Sequence, residues 1–306
     1  MASARIAVLP EETRAYIRSA VTAGGGELVA PDAAEALVWT APDDPEGLQE
    51  LLDANPHLRW VQLPWAGVEP YARAGVFGGE RLWTSGKGVY SEPVAEHAMA
   101  LALAGLREIG RFAQARSWGE EAGISLMRGK ATIFGGGGIT TKLIELLRPF
   151  GAEITVVRNH PRPMDGVHRV LEFERRYEAL TGADVVFLAL ALTPQTRRFI
   201  TAVELEVMEP HAWLVNVARG QHVDTEDLMV ALRGDVIGGA ALDVTEPEPL
   251  PEGHPLWALP NCIITPHVGN TDDMQQPLLS ARISENVRRF AQDEELIGLV
   301  DPDLGY

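Results

Sequence analysis

The stretch ATIFGGGGITTKLIELL, residues 131–147, decides the fold, because an apolar run, four glycines and a helical pattern follow one another without interruption. The run at 131–134 is typical of a buried strand. Gly135 to Gly138 then form a turn whose backbone can approach a ligand closely. A strand, a glycine-rich turn and a helix in this order bind dinucleotides, with the pyrophosphate at the helix N-terminus. The stretch predicts a dinucleotide-binding α/β unit, with a plain flexible turn as the alternative.

The chain on both sides of this unit alternates apolar runs with helix-like stretches. Further strand-like runs lie at residues 5–10, 35–40, 58–64, 152–159, 183–191, 212–218, 237–244 and 261–267. Such alternation predicts parallel sheets with helices on both faces, and 306 residues suffice for two domains. We therefore expect an α/β protein of two doubly wound parallel-sheet domains. One domain comprises residues 98–283, and the other comprises residues 1–97 and 284–306.

Two long helices are expected near the domain boundaries. The first begins at Ser91 or Glu92, has Pro93 in its first turn and keeps helical periodicity to Gln114. It is a candidate crossover between the domains. The second is the amphipathic stretch 280–296, which we expect to return and pack on the first domain.

Composition and charge exclude several classes of protein. The formal net charge of −17 argues against nucleic acid or an anionic membrane as a partner. The apolar runs are too short to span a bilayer, and the N-terminus lacks a signal-peptide pattern. The single cysteine fits a reducing cytoplasm, and no His, Cys or carboxylate spacing suggests a metal. The net charge also means that any positive charge for an anionic ligand must be local.

Four charged or titratable residues follow apolar runs in the second half of the chain. Arg219 follows WLVNVA, Asp243 ends GGAALD, Glu248 lies in a proline-rich loop and His267 follows CIITP. Open α/β sheets bind ligands at the carboxyl ends of their strands. An arginine for a substrate anion and a glutamate-supported histidine for proton transfer suit the reduction of a keto acid.

The cofactor is predicted from the end of the second strand of this unit. NAD-specific sites place a carboxylate there, whereas this chain has Arg158 in VVRNHPRP. A guanidinium suits the 2′-phosphate of NADP, so we expect NADP, with NAD possible. A solvated basic turn is the alternative. Thr140 replaces the usual third glycine of the fingerprint, which could move the helix away from its strand.

The segments VNVARG, ALDVTEPEPLP and TPHVGNT together resemble the D-isomer-specific 2-hydroxyacid dehydrogenases, most closely the glyoxylate/hydroxypyruvate reductases. Weaker similarity lies in LPWAGVE and PVAEHAMALALAGLR, and Ala191 departs from the proline that the family commonly has before LTP. The resemblance implies a Rossmann-type dinucleotide domain, a flavodoxin-like substrate domain, a catalytic cleft between them and a homodimer. It further implies reduction of small 2-oxo acids to (R)-2-hydroxy acids.

The resemblance also implies roles for individual residues. Arg219 would bind the substrate carboxylate, His267 would donate the proton, and Glu248 would orient His267 and raise its pKa. The loop of Trp65, Ala66, Gly67 and Val68 would complete the substrate pocket. The expected cofactor-binding residues are Gly135, Gly137, Gly138, Ile139, Arg158, Leu190, Val217, Ala218 and Asp243.

Other interpretations stay open at this point. His97 is expected to be a structural hydrogen-bonding group, whereas His222 could face the substrate or the surface. A regulatory protein that senses a dinucleotide on the same fold is the competing hypothesis. An NAD-dependent enzyme with a bulkier substrate is a third.

Overall fold

The computed structural model describes residues 3–301, which form two compact units. Within these residues, one unit comprises residues 3–90 and 271–301, and the other comprises residues 91–270. The predicted domain boundaries, after residues 97 and 283, lie inside two helices, Ser91–Leu106 and Asp272–Ala291. The compact units instead divide near the first residues of these helices. As expected, each unit contains its own parallel sheet, which has five strands in the first unit and seven in the second.

The N-terminal part of the first unit alternates strands and helices. In chain order the elements are β1 (Arg5–Leu9), α1 (Ala15–Ala23), β2 (Glu27–Leu28), β3 (Ala36–Trp39), α2 (Pro45–Ala54), β4 (Trp60–Gln62), α3 (Glu69–Arg73) and β5 (Leu82–Thr84). The sheet order β2-β1-β3-β4-β5 is the flavodoxin-like order. The predicted fold of this unit is thereby confirmed.

The second unit has the Rossmann strand order with one strand added. Its elements are α4 (Ser91–Leu106), α5 (Ile109–Gln114), β6 (Lys130–Phe134), α6 (Gly138–Leu147), β7 (Glu153–Val157), β8 (Arg169–Leu171), α7 (Arg176–Leu180), β9 (Val185–Leu188), α8 (Ala202–Val207), β10 (Trp213–Asn216), α9 (Thr225–Arg233), β11 (Gly239–Leu242) and β12 (Cys262–Ile264). The order β12-β11-β10-β9-β6-β7-β8 reverses between β6 and β9. Ligands bind such sheets at this reversal, outside the carboxyl ends of the strands.

Side chains alternate between the two faces of this second sheet. Val185 and Phe187 of β9 join the apolar cluster that includes α4 and α6, whereas Val186 and Leu188 join the cluster that includes α8 and α9. All four are fully buried. A strand buried on both faces is a continuous apolar run, which is why the sequence pattern located β9 and β10 well.

The last helix, α10 (Asp272–Ala291), belongs to the first unit and packs against α1. Leu279, Ile283 and Val287 of α10 share an apolar cluster with Ile17 and Val21 of α1. The predicted return of this helix to the first domain is confirmed. The helix begins at Asp272, whereas the predicted stretch begins at residue 280. The sequence does not reveal the first turns of the helix, because their polar residues show no apolar periodicity.

The predicted uninterrupted helix from residue 91 to Gln114 is wrong. α4 ends at Leu106, and Glu108 has a left-handed backbone, with φ 55°, before α5 begins. Gly123 lets the returning chain approach the end of α4, because an added Cβ there would lie only 3.0 Å from the Leu106 carbonyl oxygen. The returning chain donates a hydrogen bond from the Ile124 amide to that oxygen (2.7 Å), which ends the helix.

Candidate active site

The glycine-rich turn lies between β6 and α6 and has the form of a phosphate cradle. Gly135 has φ +119°, and an added Cβ would lie 2.2 Å from the Ala189 carbonyl oxygen, so only glycine fits. Gly137 is the N-cap of α6, and a Cβ added to it would meet nothing within 4 Å. The first amides of a helix have no partner within it and carry partial positive charge. A pyrophosphate would fit there, with Gly138 and Ile139 supplying the amides.

Thr140, at the third glycine position, points into the protein. The residue is fully buried, and its hydroxyl has no hydrogen-bond partner within residues 3–301. α6 still begins at Gly138, directly after the turn. The threonine therefore leaves the backbone cradle in place.

Arg158 follows β7 and its guanidinium packs over the glycine-rich turn. An added Cβ on Gly136 would lie 2.8 Å from both Nε and Cζ of Arg158. The Arg158 amide donates to the Leu171 carbonyl oxygen (2.9 Å), and Nη1 lies 3.7 Å from the Met164 sulfur. A positive charge at the end of β7 thus lies beside the cradle, where the sequence argument expected it.

Arg219 is held at the end of β10 by the side chain of Asn216. This amide accepts from the Ala218 amide (3.0 Å) and donates to the Arg219 carbonyl oxygen (2.9 Å), so it closes the turn that contains Val217. Asn216 is buried, and the sequence argument missed it. Its place at the end of an apolar strand could have indicated this role, because Asn side chains often hydrogen-bond to nearby backbone groups.

Gly220 connects the Arg219 turn to the loop that contains Glu248. An added Cβ on Gly220 would lie 1.9 Å from the Thr245 carbonyl oxygen, so any side chain would separate the two segments. The Thr245 hydroxyl donates to the Pro247 carbonyl oxygen at 2.7 Å. The close contact at Gly220 brings Arg219 into the neighbourhood of Glu248.

Glu248 and His267 form an ion pair. His267 Nδ1 lies 2.7 Å from Glu248 Oε1, which leaves Nε2 for a substrate. The hydrogen bond that His267 donates to Glu248 raises the pKa of His267 against the opposing effects of burial and of the Arg219 charge. The same hydrogen bond lowers the pKa of Glu248. His267 is 54% exposed, so its ring is accessible for proton transfer.

Asp243 organises the loop that contains His267. Its carboxylate accepts hydrogen bonds from the Thr265 hydroxyl (2.6 Å) and from the amides of Val268 and Gly269 (2.9 Å each). His267 between them has a left-handed backbone, with φ 53°. Burial raises the pKa of Asp243, but these hydrogen bonds and one from His97 outweigh it and lower the pKa to about 2.

The two histidines with open interpretations are both hydrogen-bonded. His97 Nε2 lies 3.0 Å from the Thr265 hydroxyl and 3.2 Å from Asp243 Oδ1, which agrees with the structural role expected for it. His222 is fully buried, so the surface interpretation is wrong. The physical reason is that the turn after Arg219 directs its ring into the apolar cluster around Phe199.

The remaining predicted residues lie in both units. Val217 and Ala218 are buried in the turn before Arg219, and Leu190 follows β9 at the same edge of the sheet. Trp65 to Val68 follow β4 in the first unit. Within residues 3–301, no three His, Cys or carboxylate side chains are grouped as metal ligands would be. No helix of the described chain has the length and apolar character needed to cross a membrane.

Comparison with known proteins identifies the family. Residues 97–269 match the model of the D-isomer-specific 2-hydroxyacid dehydrogenase NAD-binding domain. The glyoxylate reductase of Aeropyrum pernix is 33% identical over 83% of this chain and 78% of its own length. The glyoxylate/hydroxypyruvate reductase A of Photorhabdus laumondii is 29% identical over 89% of this chain and 87% of its own length.

A solved structure supports the same conclusion for the fold. The D-isomer-specific 2-hydroxyacid dehydrogenase of Xanthobacter autotrophicus Py2, solved with NADPH and MES, superposes with a TM-score of 0.86. Its sequence is 26% identical, and the match covers all of both chains. The chain therefore belongs to the D-isomer-specific 2-hydroxyacid dehydrogenase family of NAD(P)-dependent oxidoreductases.

Proposed function

We propose that this enzyme reduces small 2-oxo acids of the glyoxylate and hydroxypyruvate type to (R)-2-hydroxy acids, with NADPH preferred over NADH. The observation that carries the proposal is the pair of His267 and Glu248 at 2.7 Å, with Arg219 close enough to shift the pKa values of both. This arrangement combines an anion-binding group with a proton donor. The names of the relatives in A. pernix and P. laumondii favour the same substrate class.

Arg219 binds the substrate carboxylate in this proposal. Its planar guanidinium presents several donors in a fixed geometry that matches a carboxylate. The protein has a net charge of −17, so a local cation is needed to hold an anionic substrate. The backbone around Arg219 is fixed by Asn216 and Gly220, which orients the side chain before the substrate arrives.

His267 supplies the proton. A bound reduced dinucleotide would supply hydride for the carbonyl carbon, and the carbonyl oxygen of the substrate would then need a proton. Nε2 of the imidazolium donates that proton while Glu248 holds Nδ1. The hydrogen bond to Glu248 raises the pKa of His267 and so favours its imidazolium form.

The preference for NADPH rests on Arg158. Its side chain packs against Gly136 of the cradle. In Rossmann domains the 2′ position of the dinucleotide ribose binds near this place. A 2′-phosphate would gain charge-assisted hydrogen bonds there. Asp243 serves in this proposal as an organiser of the His267 loop near the nicotinamide.

The loop of Trp65, Ala66, Gly67 and Val68 also binds the substrate in this proposal, since Gly67 lets the backbone approach it closely.

The enzyme is proposed to be a homodimer. Exposed apolar side chains in and after α5 support this assembly: Ile109, Phe112, Trp118 and Met127. The single cysteine supports a cytoplasmic location.

Oxidation of NADPH and of NADH should be followed by absorbance with glyoxylate, hydroxypyruvate and bulkier 2-oxo acids. The proposal predicts the highest kcat/KM for a small acid with NADPH. A preference for bulky acids with NADH would favour the NAD-dependent alternative. Tight binding of the dinucleotide without turnover of any acid would instead favour the regulatory alternative, and either result would overturn the proposal.

A further inference from the structure

His222 is a polar side chain in an apolar surrounding. It ends the 3-10 turn Gly220–His222, which follows Arg219 directly, and it is fully buried. Its ring packs edge-on against Phe199, with centroids 5.8 Å apart. An imidazole buried among apolar residues is costly unless its nitrogens are hydrogen-bonded.

The two ring nitrogens face both ends of one loop. Nδ1 lies 3.0 Å from the Thr196 carbonyl oxygen, and Nε2 lies 3.3 Å from the Leu190 carbonyl oxygen. A neutral imidazole has one N–H, and the shorter distance favours donation from Nδ1 to Thr196. This loop follows β9 at the edge of the sheet where the glycine-rich turn lies, and Ala189 packs on Gly135.

The loop also has its own internal hydrogen bonds. The Thr196 hydroxyl accepts from the Thr193 amide (2.8 Å) and donates to the Ala191 carbonyl oxygen (2.8 Å). The loop is therefore a preformed unit, and the ring of His222 contacts it at both ends, with the hydrogen bond at Thr196. The backbone adds a further link, since the Arg198 amide donates to the Gln221 carbonyl oxygen at 2.7 Å.

We propose that His222 is a positioning residue that fixes the Leu190–Thr196 loop, whose Leu190 is an expected dinucleotide contact, to the turn that contains Arg219, the proposed substrate anchor. The inference rests on the proposed function for the role of Arg219. The buried side chain of His222, together with the backbone link from Arg198 to Gln221, holds the cofactor loop and the substrate anchor in register. Loss of that side chain weakens binding of both ligands, whereas a residue that only fills the core would change stability alone.

Three substitutions of His222 and one control variant separate these roles. His222→Leu keeps the approximate volume and removes the ring N–H that donates to Thr196. His222→Asn keeps a donor near the position of Nδ1 and can still reach Thr196, whereas His222→Gln extends further, toward Leu190. Leu232→Ala, in the same apolar cluster on α9, is the control for a loss of packing alone.

The dissociation constant of NADPH, measured by fluorescence, and the KM for the best 2-oxo acid should be determined with the melting temperature of each variant. We expect His222→Leu to raise both constants about tenfold, as loss of one buried hydrogen bond allows. His222→Asn should recover both constants to within about threefold, a larger recovery than His222→Gln gives. Leu232→Ala should lower the melting temperature without changing either constant.

Native constants in His222→Leu would overturn the proposal, as would changes that follow the melting temperature across all variants. If His222→Leu does not fold, equal constants for His222→Asn and His222→Gln would overturn it. The NADPH arm does not depend on turnover. A native enzyme that binds NADPH but reduces no 2-oxo acid would therefore refute the proposed function and leave the loop contact to be judged by NADPH binding.

Discussion

The pKa of His267, on which its proposed role as proton donor depends, is shifted in opposite directions by an acidic and a basic neighbour. Glu248 accepts a hydrogen bond from Nδ1 and raises the pKa of His267, whereas Arg219 opposes this rise. The same arginine would bind the substrate carboxylate. The negative charge of the carboxylate would then offset the effect of Arg219 on the pKa of His267. Binding of the acid should thus favour the imidazolium when it is needed.

Replacing Glu248 with Gln should shift the pH profile of reduction. His267 must be protonated, so activity is present below its pKa and is lost as pH rises through it. Without Glu248 that pKa falls, so kcat/KM should decline at a lower pH than in the native enzyme. The profile of Glu252→Gln, an exposed residue that follows the same loop, serves as the control. An unchanged midpoint in Glu248→Gln would contradict the role of the pair.

Replacing Arg158 with Ala should weaken NADPH binding selectively. Loss of charge-assisted hydrogen bonds to a 2′-phosphate should raise the KM for NADPH by about tenfold to a hundredfold. The KM for NADH should change little. Arg162→Ala, a nearby exposed arginine, is the matched control. If the NADPH to NADH ratio stays the same in Arg158→Ala, the basic-turn alternative holds instead.

At the scale of elements, the site is a set of strand ends whose following loops are fixed by buried polar side chains. Asn216 closes the loop after β10, and Asp243 closes the loop after β12. The sequence was sufficient to predict β6, β9, β10 and β11, because apolar runs mark strands buried on both faces. It did not predict β2, β5 or β8, which have only two or three residues and no pattern of their own.

Replacing Asp243 with Asn should destabilise the protein near neutral pH. The folded-state pKa of Asp243 is about 2, below the ordinary 3.8, so the carboxylate stabilises the fold at pH values above its unfolded pKa. This stabilisation, of about 2 kcal/mol, should be lost as pH falls from about 4 to 2. Urea unfolding at several pH values measures it.

The control for that experiment is Asp235→Asn, whose carboxylate is exposed after α9. Its effect on the free energy of unfolding should be small at every pH. Equal destabilisation by Asp243→Asn at neutral pH and near pH 2 would contradict the account. The hydrogen bonds to Thr265, Val268 and Gly269 would then not depend on the charge of the carboxylate.

At the scale of the whole molecule, each unit has its own sheet and core, and the final helix joins the N-terminal unit. The alternation in the sequence predicts parallel sheets in two domains, and the family resemblance implies their different types, but the boundaries between units depend on long-range contacts. The break between α4 and α5 shows why: it is set by Gly123 and Ile124, which approach Leu106 only in the folded chain. Periodicity along one segment cannot report such a contact.

The assembly should depend on the apolar surface of α5. Ile109 and Phe112 are three residues apart on one helix face and are 54% and 36% exposed. We expect Ile109→Glu with Phe112→Glu to convert a dimer to a monomer, as seen in the molar mass from light scattering. The matched control is Val203→Glu, an exposed apolar residue on α8. A native protein that is monomeric at micromolar concentration would contradict the homodimer.

His267 is the proposed proton donor in the reduction of a small 2-oxo acid. NADPH oxidation by the native enzyme and by His267→Ala, with the best acid of the substrate panel, tests this role most directly. The account predicts that kcat falls by about a hundredfold to ten-thousandfold in the variant. The dissociation constant of NADPH should stay within about twofold, because His267 does not form the cradle. Turnover close to native in His267→Ala would contradict the account.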